Sequence, residues 1–176
     1  MDTLFASQDP LFEVEPVLPD NIGFRGPVAS RAAGITYRQL DYWARTGLVV
    51  PEIRSADGSG TQRLYSFRDI LLLKVVKKLL DAGITLQQIR AAITHLRRRG
   101  VEDLTAVTLM SDGVSVYECT SDNEVIDLLR GGQGMFAIAL GGVWRDIEGT
   151  LATLPTQRAV MEMDELAPRR AAKLAV

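Results

Sequence analysis

Read for hydrophobic spacing, residues 35–49, ITYRQLDYWARTGLV, place Leu40, Trp43 and Ala44 at i, i+3 and i+4, an apolar stripe along one side of a short helix. Thr36 is suited to cap its start, its hydroxyl accepting an orphan backbone N–H, and Gly47 suits the left-handed position past its end. Arg38, Asp41, Tyr42 and Arg45 fall on the other faces. A helix of about three turns is not stable alone in water, so it needs a scaffold. Before it, GPVASRAA at 26–33 predicts a helix with Pro27 in its first turn, and Gly34 predicts a tight turn into the next. After it, β-prone stretches at 49–54 and 62–65 flank ADGSGT, which has hairpin-turn chemistry. Ser66 caps a predicted helix at 67–80, with Leu71, Val75 and Leu79 in phase and Gly83 beyond its end. Thr85 caps another, from 86 to about 99, where Ile89, Ile93 and Leu96 form the stripe.

Beyond Gly100 the pattern changes. LTAVTLMSDGVSVYEC alternates on both sides of Ser111-Asp112-Gly113, a second hairpin. The residues from Ser121 to Glu124 have the pattern of a capping box, opening a helix through Leu129 that closes at Gly131. MFAIAL reads as a buried strand, and Val143, Ile147, Leu151 and Leu154 run at helical spacing until Pro155. The predicted class is α+β: four helices and a hairpin over 23–100, then a small β-β-α-β-α unit over 101–154. Residues 1–22, acidic and broken by Pro10, Pro16 and Pro19, read as a flexible tail, as do 155–176.

Composition narrows the setting. At 47% hydrophobic and 24% charged residues the chain reads as globular. It has no apolar run near the roughly 20 residues that span a bilayer, and no signal-peptide pattern at its start. The lone Cys119 rules out an intramolecular disulfide and suits a reducing cytoplasm. Charge is segregated. Residues 23–100 hold 14 Lys and Arg against 5 Asp and Glu (+9), residues 1–22 hold none against 5 (-5), and residues 101–176 hold 6 against 12 (-6), which sum to the net -2. A basic module between acidic flanks points to a polyanionic partner or, more plainly, to a solvated basic face.

Helix, tight turn and helix, with Tyr and Arg side chains on the outside of the second, is the arrangement of a helix-turn-helix, whose second helix enters the major groove. With GIT-Y-R-Q-L-D-Y-W-A-R-T-GLV, the hairpin ending QRLYS, and LLDAGITLQQIR in this order, residues 24–99 resemble the winged helix-turn-helix of MerR-type transcription regulators. Residues 101–154 resemble the C-terminal part of an actinobacterial subgroup. The resemblance implies roles for matching residues. Thr36 falls on a phosphate contact at the recognition-helix start, Arg38 on the groove-facing side, Tyr42 on a backbone-contacting tyrosine and Trp43 on an inward aromatic. Arg63 and Tyr65 fall on wing residues that contact phosphates, and Gly83-Ile84-Thr85 on a second wing-like contact at a helix N-terminus, which favours anions. The candidate DNA-contacting set is Thr36, Tyr37, Arg38, Asp41, Tyr42, Arg45, Arg54, Arg63, Tyr65 and Thr85.

Two departures from the family pattern matter. Asp41 stands where many members have Arg. It either accepts from a cytosine N4 or pairs with Arg38 or Arg45. The long dimerisation helix of many relatives is cut short at Gly100, which makes 101–154 the expected homodimer interface, with a monomeric cap as the alternative. The metal-sensing cysteines of some relatives are missing, so no metal or cofactor is expected. By resemblance, the partners are double-stranded promoter DNA and, for activation by bending and untwisting that DNA, RNA polymerase. The acidic N-terminal tail has three readings: it touches the polymerase, the chain's own basic surface, or nothing.

Sharper chemistry is weaker. GQGMFA at 132–137 enters a strand rather than opening a helix, so it reads as a turn, not a dinucleotide fingerprint. His95 and Cys119 read as packing or surface residues, and Arg97-Arg98-Arg99 as a phosphate track or a solvated helix end. No cluster of nucleophile, base or metal ligands suggests an enzyme. An architectural DNA-binding protein or a protein-interaction adaptor stays open as the alternative class.

Overall fold

Each helix start that the sequence marks with a hydroxyl side chain is capped by that hydroxyl in the computed structural model, which describes residues 22–54, 62–131, 134–155 and 157–158. Thr36, Ser66, Thr85 and Ser121 accept the backbone N–H three residues on, at 3.2, 3.0, 3.4 and 3.4 Å. At the first three the box closes reciprocally through Gln39, Asp69 and Gln88. At Ser121 it does not: the Glu124 carboxylate accepts from the Thr120 N–H instead, at 2.7 Å.

The chain runs β1 (Ile22–Arg25), α1 (Gly26–Ala33), α2 (Tyr37–Arg45), β2 (Leu64–Tyr65), α3 (Phe67–Asp81), α4 (Leu86–Leu96) and α5 (Val101–Thr105). It continues through β3 (Thr108–Ser111), β4 (Val116–Cys119), α6 (Asp122–Arg130), β5 (Phe136–Ala139), α7 (Leu140–Leu151) and β6 (Gln157–Arg158). α1 and α2 form the expected helix-turn-helix, in a fold of mixed helices and small sheets. Two antiparallel three-stranded sheets have the orders β2-β1-β6 and β4-β3-β5. No helix among the described residues is long and apolar enough to cross a membrane.

One hydrophobic core extends from Phe24 to Leu151. Its centre is α3, which packs against α1, α4 and α7 and buries residues on nearly all of its faces, Ile70, Leu71, Leu72 and Leu73 in succession. α7 belongs to the same core. The Trp144 ring lies 4.0 Å, centroid to centroid, from that of Phe67, and Asp146 pairs with Lys74 of α3 at 2.5 Å. α5 lies against α7, and the Leu140 N–H donates to the Val107 carbonyl at 2.9 Å.

Several expectations change. The tail expected at 1–22 lies outside the described residues except for Ile22, which opens β1; Phe24 and Arg25 there pair with Tyr65 and Leu64. At the other end β6 pairs with β1, inside the stretch expected to be a tail. α4 ends at Leu96 rather than near Arg99, and the carbonyls at and just past its end are taken by the Arg68 guanidinium: Leu96, Arg97 and Arg99 accept at 3.4, 2.5 and 2.6 Å. α5 was not anticipated. MFAIAL is not a buried strand: β5 lies at the edge of its sheet, and only Ile138 points into the core, leaving Phe136, Ala137 and Ala139 exposed. Apolar composition there reflects a sheet edge, not an interior. Between α2 and α3 the expected hairpin is reduced, among the described residues, to one antiparallel bridge at which Arg54 and Leu64 exchange backbone hydrogen bonds at 3.2 and 3.0 Å. Leu64 and Tyr65 otherwise pair with β1, and residues 55–61 lie outside the described residues.

The approach of α5 to α7 yields a prediction. A Cβ on Gly141 would stand 2.7 Å from the Thr105 carbonyl oxygen, while nothing lies within 4 Å of one on Gly149 in the same helix. Gly141→Ala should lower stability by ~1–3 kcal/mol through forced separation of backbone from backbone. Gly149→Ala should raise it by ~0.5–1 kcal/mol from helix propensity alone. Urea unfolding of the two variants should therefore move in opposite directions. Equal shifts would mean that α5 and α7 do not meet at Gly141.

Candidate nucleic-acid interface

Leu40 and Trp43 pin α2 to the core, as their spacing requires, and this turns its remaining faces outward. Tyr37 is 60% and Tyr42 49% exposed, and Arg38 and Arg45 are exposed beside them. The Tyr37 ring leans over the start of α1, where a Cβ on Gly26 would come within 2.8 Å of its Cε2. Gly26 therefore lets the two helices close at this point. The far end of α2 is tied to α4 by Arg90, which donates to the Thr46 carbonyl at 2.8 Å.

Asp41 resolves one of the alternatives left by the sequence. Its Oδ2 accepts from Arg45 Nε at 2.8 Å, and its Oδ1 from Arg63 Nη1 at 2.7 Å. Arg38 takes no part in this cluster. The expected pairing with Arg45 is present, and the second partner, on the returning arm of the hairpin, was not foreseen. The Arg63 hydrogen bond, with the charge of Arg45 in support, holds the Asp41 carboxyl below its ordinary range, and Asp41 in turn raises Arg63. One carboxylate thus orients two guanidinium groups and joins the hairpin to α2.

The base of the hairpin is held by a second carboxylate. Asp69, buried in the first turn of α3, accepts through a single oxygen from the backbone N–H of Glu52, on the outgoing side, and of Ser66, on the returning side, both at 2.8 Å. Burial pushes its pKa up to about 6 against these two N–H groups, which favour the charged form. Sequence reading passed over Asp69, although its place three residues after a Ser cap was the available signal. Glu52 also reaches Arg68 Nη1, at 3.4 Å.

Tyr65 requires a correction. It is 0% exposed, and burial pushes its hydroxyl up to about 12. A hydroxyl sealed in the core cannot meet a phosphate, so the contact expected of Tyr65 is not open to it in this geometry. Its ring instead anchors β2 beside Phe24 of β1.

A further regularity went unread. AGIT occurs twice, at 33–36 and 82–85, each time ending one helix and opening the next. Gly34 and Gly83 sit at φ 72° and 82°, in the left-handed region that favours glycine. Ile35 and Ile84 are buried and donate to Ser30 and Leu79 carbonyls at 2.9 and 3.0 Å. Thr36 and Thr85 then cap α2 and α4 with Gln39 and Gln88 in equivalent roles. Both hydroxyls donate to those glutamines, at 3.2 and 2.8 Å, so what each helix start offers an anion is chiefly its backbone N–H groups. The other expected contact, Arg54, is exposed at the start of the undescribed hairpin tip. Of the three consecutive arginines, Arg99 turns to Glu118 of β4, which also pairs with His95 at 2.9 Å, and Arg98 is exposed.

Residues 25–96 match the MerR HTH family of regulatory proteins. HTH-type transcriptional regulators of Mycobacterium tuberculosis and Mycobacterium bovis are each 59% identical over 169 residues, 93% of this chain and 75% of theirs. The HTH-type transcriptional regulator HmrR of Sinorhizobium medicae is 29% identical over 83 residues, 46% of this chain and 54% of its own.

Asp69 gives this region a pH signature. Its folded pKa, about 6, lies above the ordinary 3.8, so between these values the folded chain keeps a proton that the unfolded chain has lost. Its contribution is complete below the lower value and is lost as pH rises through the upper one, at ~1.4 kcal/mol per pH unit within the window. Asp69→Asn, which retains an oxygen for the two N–H groups, should lack this component. The stability of the variant relative to the native chain should therefore rise from pH 4 to pH 6.5 in urea titrations. A constant difference over that range would remove Asp69 from the titration.

Proposed function

The chain belongs to the MerR HTH family of regulatory proteins, and we propose that it works in the cytoplasm as a homodimer that places two copies of α2 in the major grooves of inverted promoter half-sites. It is an HTH transcriptional regulator. In this reading residues 23–100 are the DNA-binding module, with the 49–65 hairpin as its wing, and 101–154 hold the dimer together. The observation that carries the reading is the Asp41 cluster, which locks the hairpin's Arg63 and the helix's Arg45 together beside the exposed Tyr37 and Tyr42.

Roles follow from exposure and charge. The starts of α2 and α4, at Thr36 and Thr85, receive phosphates on backbone N–H groups. Arg45, Arg54 and Arg63 neutralise phosphates, and Tyr37 and Tyr42 contact the sugar-phosphate backbone. Arg38, exposed and engaged in no ion pair among the described residues, is the base reader, since a guanidinium matches guanine O6 and N7. Phosphate contacts set the register and leave specificity to few side chains. Bending and untwisting of the promoter, with RNA polymerase as the beneficiary, completes the mechanism.

Selection from a randomised duplex pool by the purified protein, at low and near-physiological salt, tests this directly. The expected result is an inverted repeat whose half-site centres lie one or more helical turns apart and whose enrichment survives the higher salt. Uniform, salt-sensitive binding would mark an architectural protein, and no binding an adaptor.

Two sets of variants separate the roles. Arg63→Ala should weaken binding to every sequence and reduce the slope of log affinity against log salt by ~0.9, one phosphate's worth, whereas Arg38→Ala should relax preference at particular base pairs. A loss confined to the preferred site would overturn the role of Arg63, and an unchanged preference profile that of Arg38. Asp41→Asn should lower affinity for all duplexes while leaving base preference intact, because it frees Arg45 and Arg63 without removing a base contact. A changed preference at one position would make Asp41 a reader of cytosine.

A further inference from the structure

α6 is the one helix of eight or more residues, among those described, that buries none of its residues. Its composition is nevertheless amphipathic. Asp122, Ile126, Leu129 and Arg130 stand at i, i+4, i+7 and i+8, on one face. Ile126 is 45% and Leu129 52% exposed. The apolar positions on this ridge are bracketed by charge, an acid in the first turn and a base in the last. Arg130 is only loosely engaged, 3.7 Å from Asp127 with both side chains largely in solvent, and Asp122 holds no ion pair among the described residues.

We propose that this ridge is where a second copy of the chain docks, two α6 helices packing antiparallel about a two-fold axis that passes beside Ile126. The assignment rests on the dimeric reading above and adds the surface. The argument is self-complementarity. An axis at Ile126 sets residue 122 of one copy against residue 130 of the other, so Asp122 meets the partner copy's Arg130 and the reverse pair forms by symmetry. Ile126 meets its own counterpart, and Leu129 packs in the groove beside it. Antiparallel packing also sets the positive end of each helix dipole beside the negative end of the other. The eight-residue interval spans ~12 Å, enough for two turns to interdigitate at the usual ~8–10 Å separation of helix axes. A contact of this size is small, and joint binding of both copies to one duplex adds the effective concentration it needs.

Sedimentation equilibrium of the full chain, alone and on a two-half-site duplex, tests the surface, with Asp122→Arg, Arg130→Asp and the double exchange, read in whichever condition the native chain is a dimer. Each single exchange sets like charges opposite each other at both symmetry-related pairs and should raise the dimer dissociation constant at least about tenfold. The double exchange restores opposite charges and should recover most of the loss. Simple fraying of α6 predicts the reverse, because the double exchange puts both charges at the wrong ends of the helix dipole. Ile126→Glu should also dissociate the dimer, with the far-UV spectrum unchanged and the urea midpoint equal to that of the native chain diluted to monomer, since no core residue is touched. If the native chain is a monomer on its own and on a two-half-site duplex, the dimeric reading fails. If it is a dimer that all of these variants leave intact, the interface lies elsewhere and only the α6 assignment is overturned.

Discussion

Burial of α3 on nearly all sides is the constraint around which the rest of the molecule is arranged. A helix with apolar residues on every face must be enclosed, and α1, α4 and α7 together with strands β1 and β2 enclose this one. The polar groups at Arg68, Asp69 and Lys74 then have little choice of partner. Asp69 is drawn onto the two ends of the hairpin, Arg68 onto the carbonyl end of α4, and Lys74 onto Asp146 of α7. The positions of the hairpin, of α4 and of the C-terminal helix therefore derive from one buried element. α2, held by Leu40 and Trp43 on the outside of this assembly, is free to present its polar faces.

Electrostatics follow the same economy. The basic segment carries few acids, and each of those described has a positioning task. Asp41 aligns Arg45 with Arg63, Glu52 and Asp69 hold the base of the hairpin, and Asp81 pairs with Lys77. Only Asp41 lies among the candidate contact residues, and there it works as a bracket for two cations. The positive excess is thus oriented rather than cancelled. An ion pair at such an exposed site adds little to stability, and its value here lies in limiting the directions that long, flexible side chains can take before a polyanion arrives.

Much of this was legible in the sequence, and what was not has identifiable causes. The helix starts were legible because Thr36, Ser66, Thr85 and Ser121 act through backbone atoms within one turn of themselves. The faces of α2 were legible because helical spacing sorts Leu40 and Trp43 from Tyr37 and Arg38. Long-range matters were not. Nothing local couples Asp41 to Arg63, twenty-two residues on, or Arg68 to the end of α4. β1 and β6 are too short to show alternation and exist through pairing. Tyr65 was misassigned because a motif records residue type and not the direction of a side chain. The repeated AGIT was local and readable; it was missed because four residues are too few to register as a repeat.

The C-terminal elements show how one segment can serve two ends. α7 is given over to the core: Trp144 covers Phe67, and Gly141 lets Thr105 approach its backbone. β5, reached from α6, contributes only Ile138 to that core and otherwise lies at the sheet's edge among the described residues. α6 contributes no buried residue at all. A sequence that maximised the stability of a lone chain would have little reason to leave Ile126 and Leu129 about half exposed, where each forgoes ~0.7–1.5 kcal/mol of available burial, half the value for a fully exposed side chain. Large exposed apolar side chains on such a helix, bounded by opposite charges at its two ends, are better accounted for by an assembly in which they are covered. The segment can then join the protein's inner packing on one side to its partnership on the other.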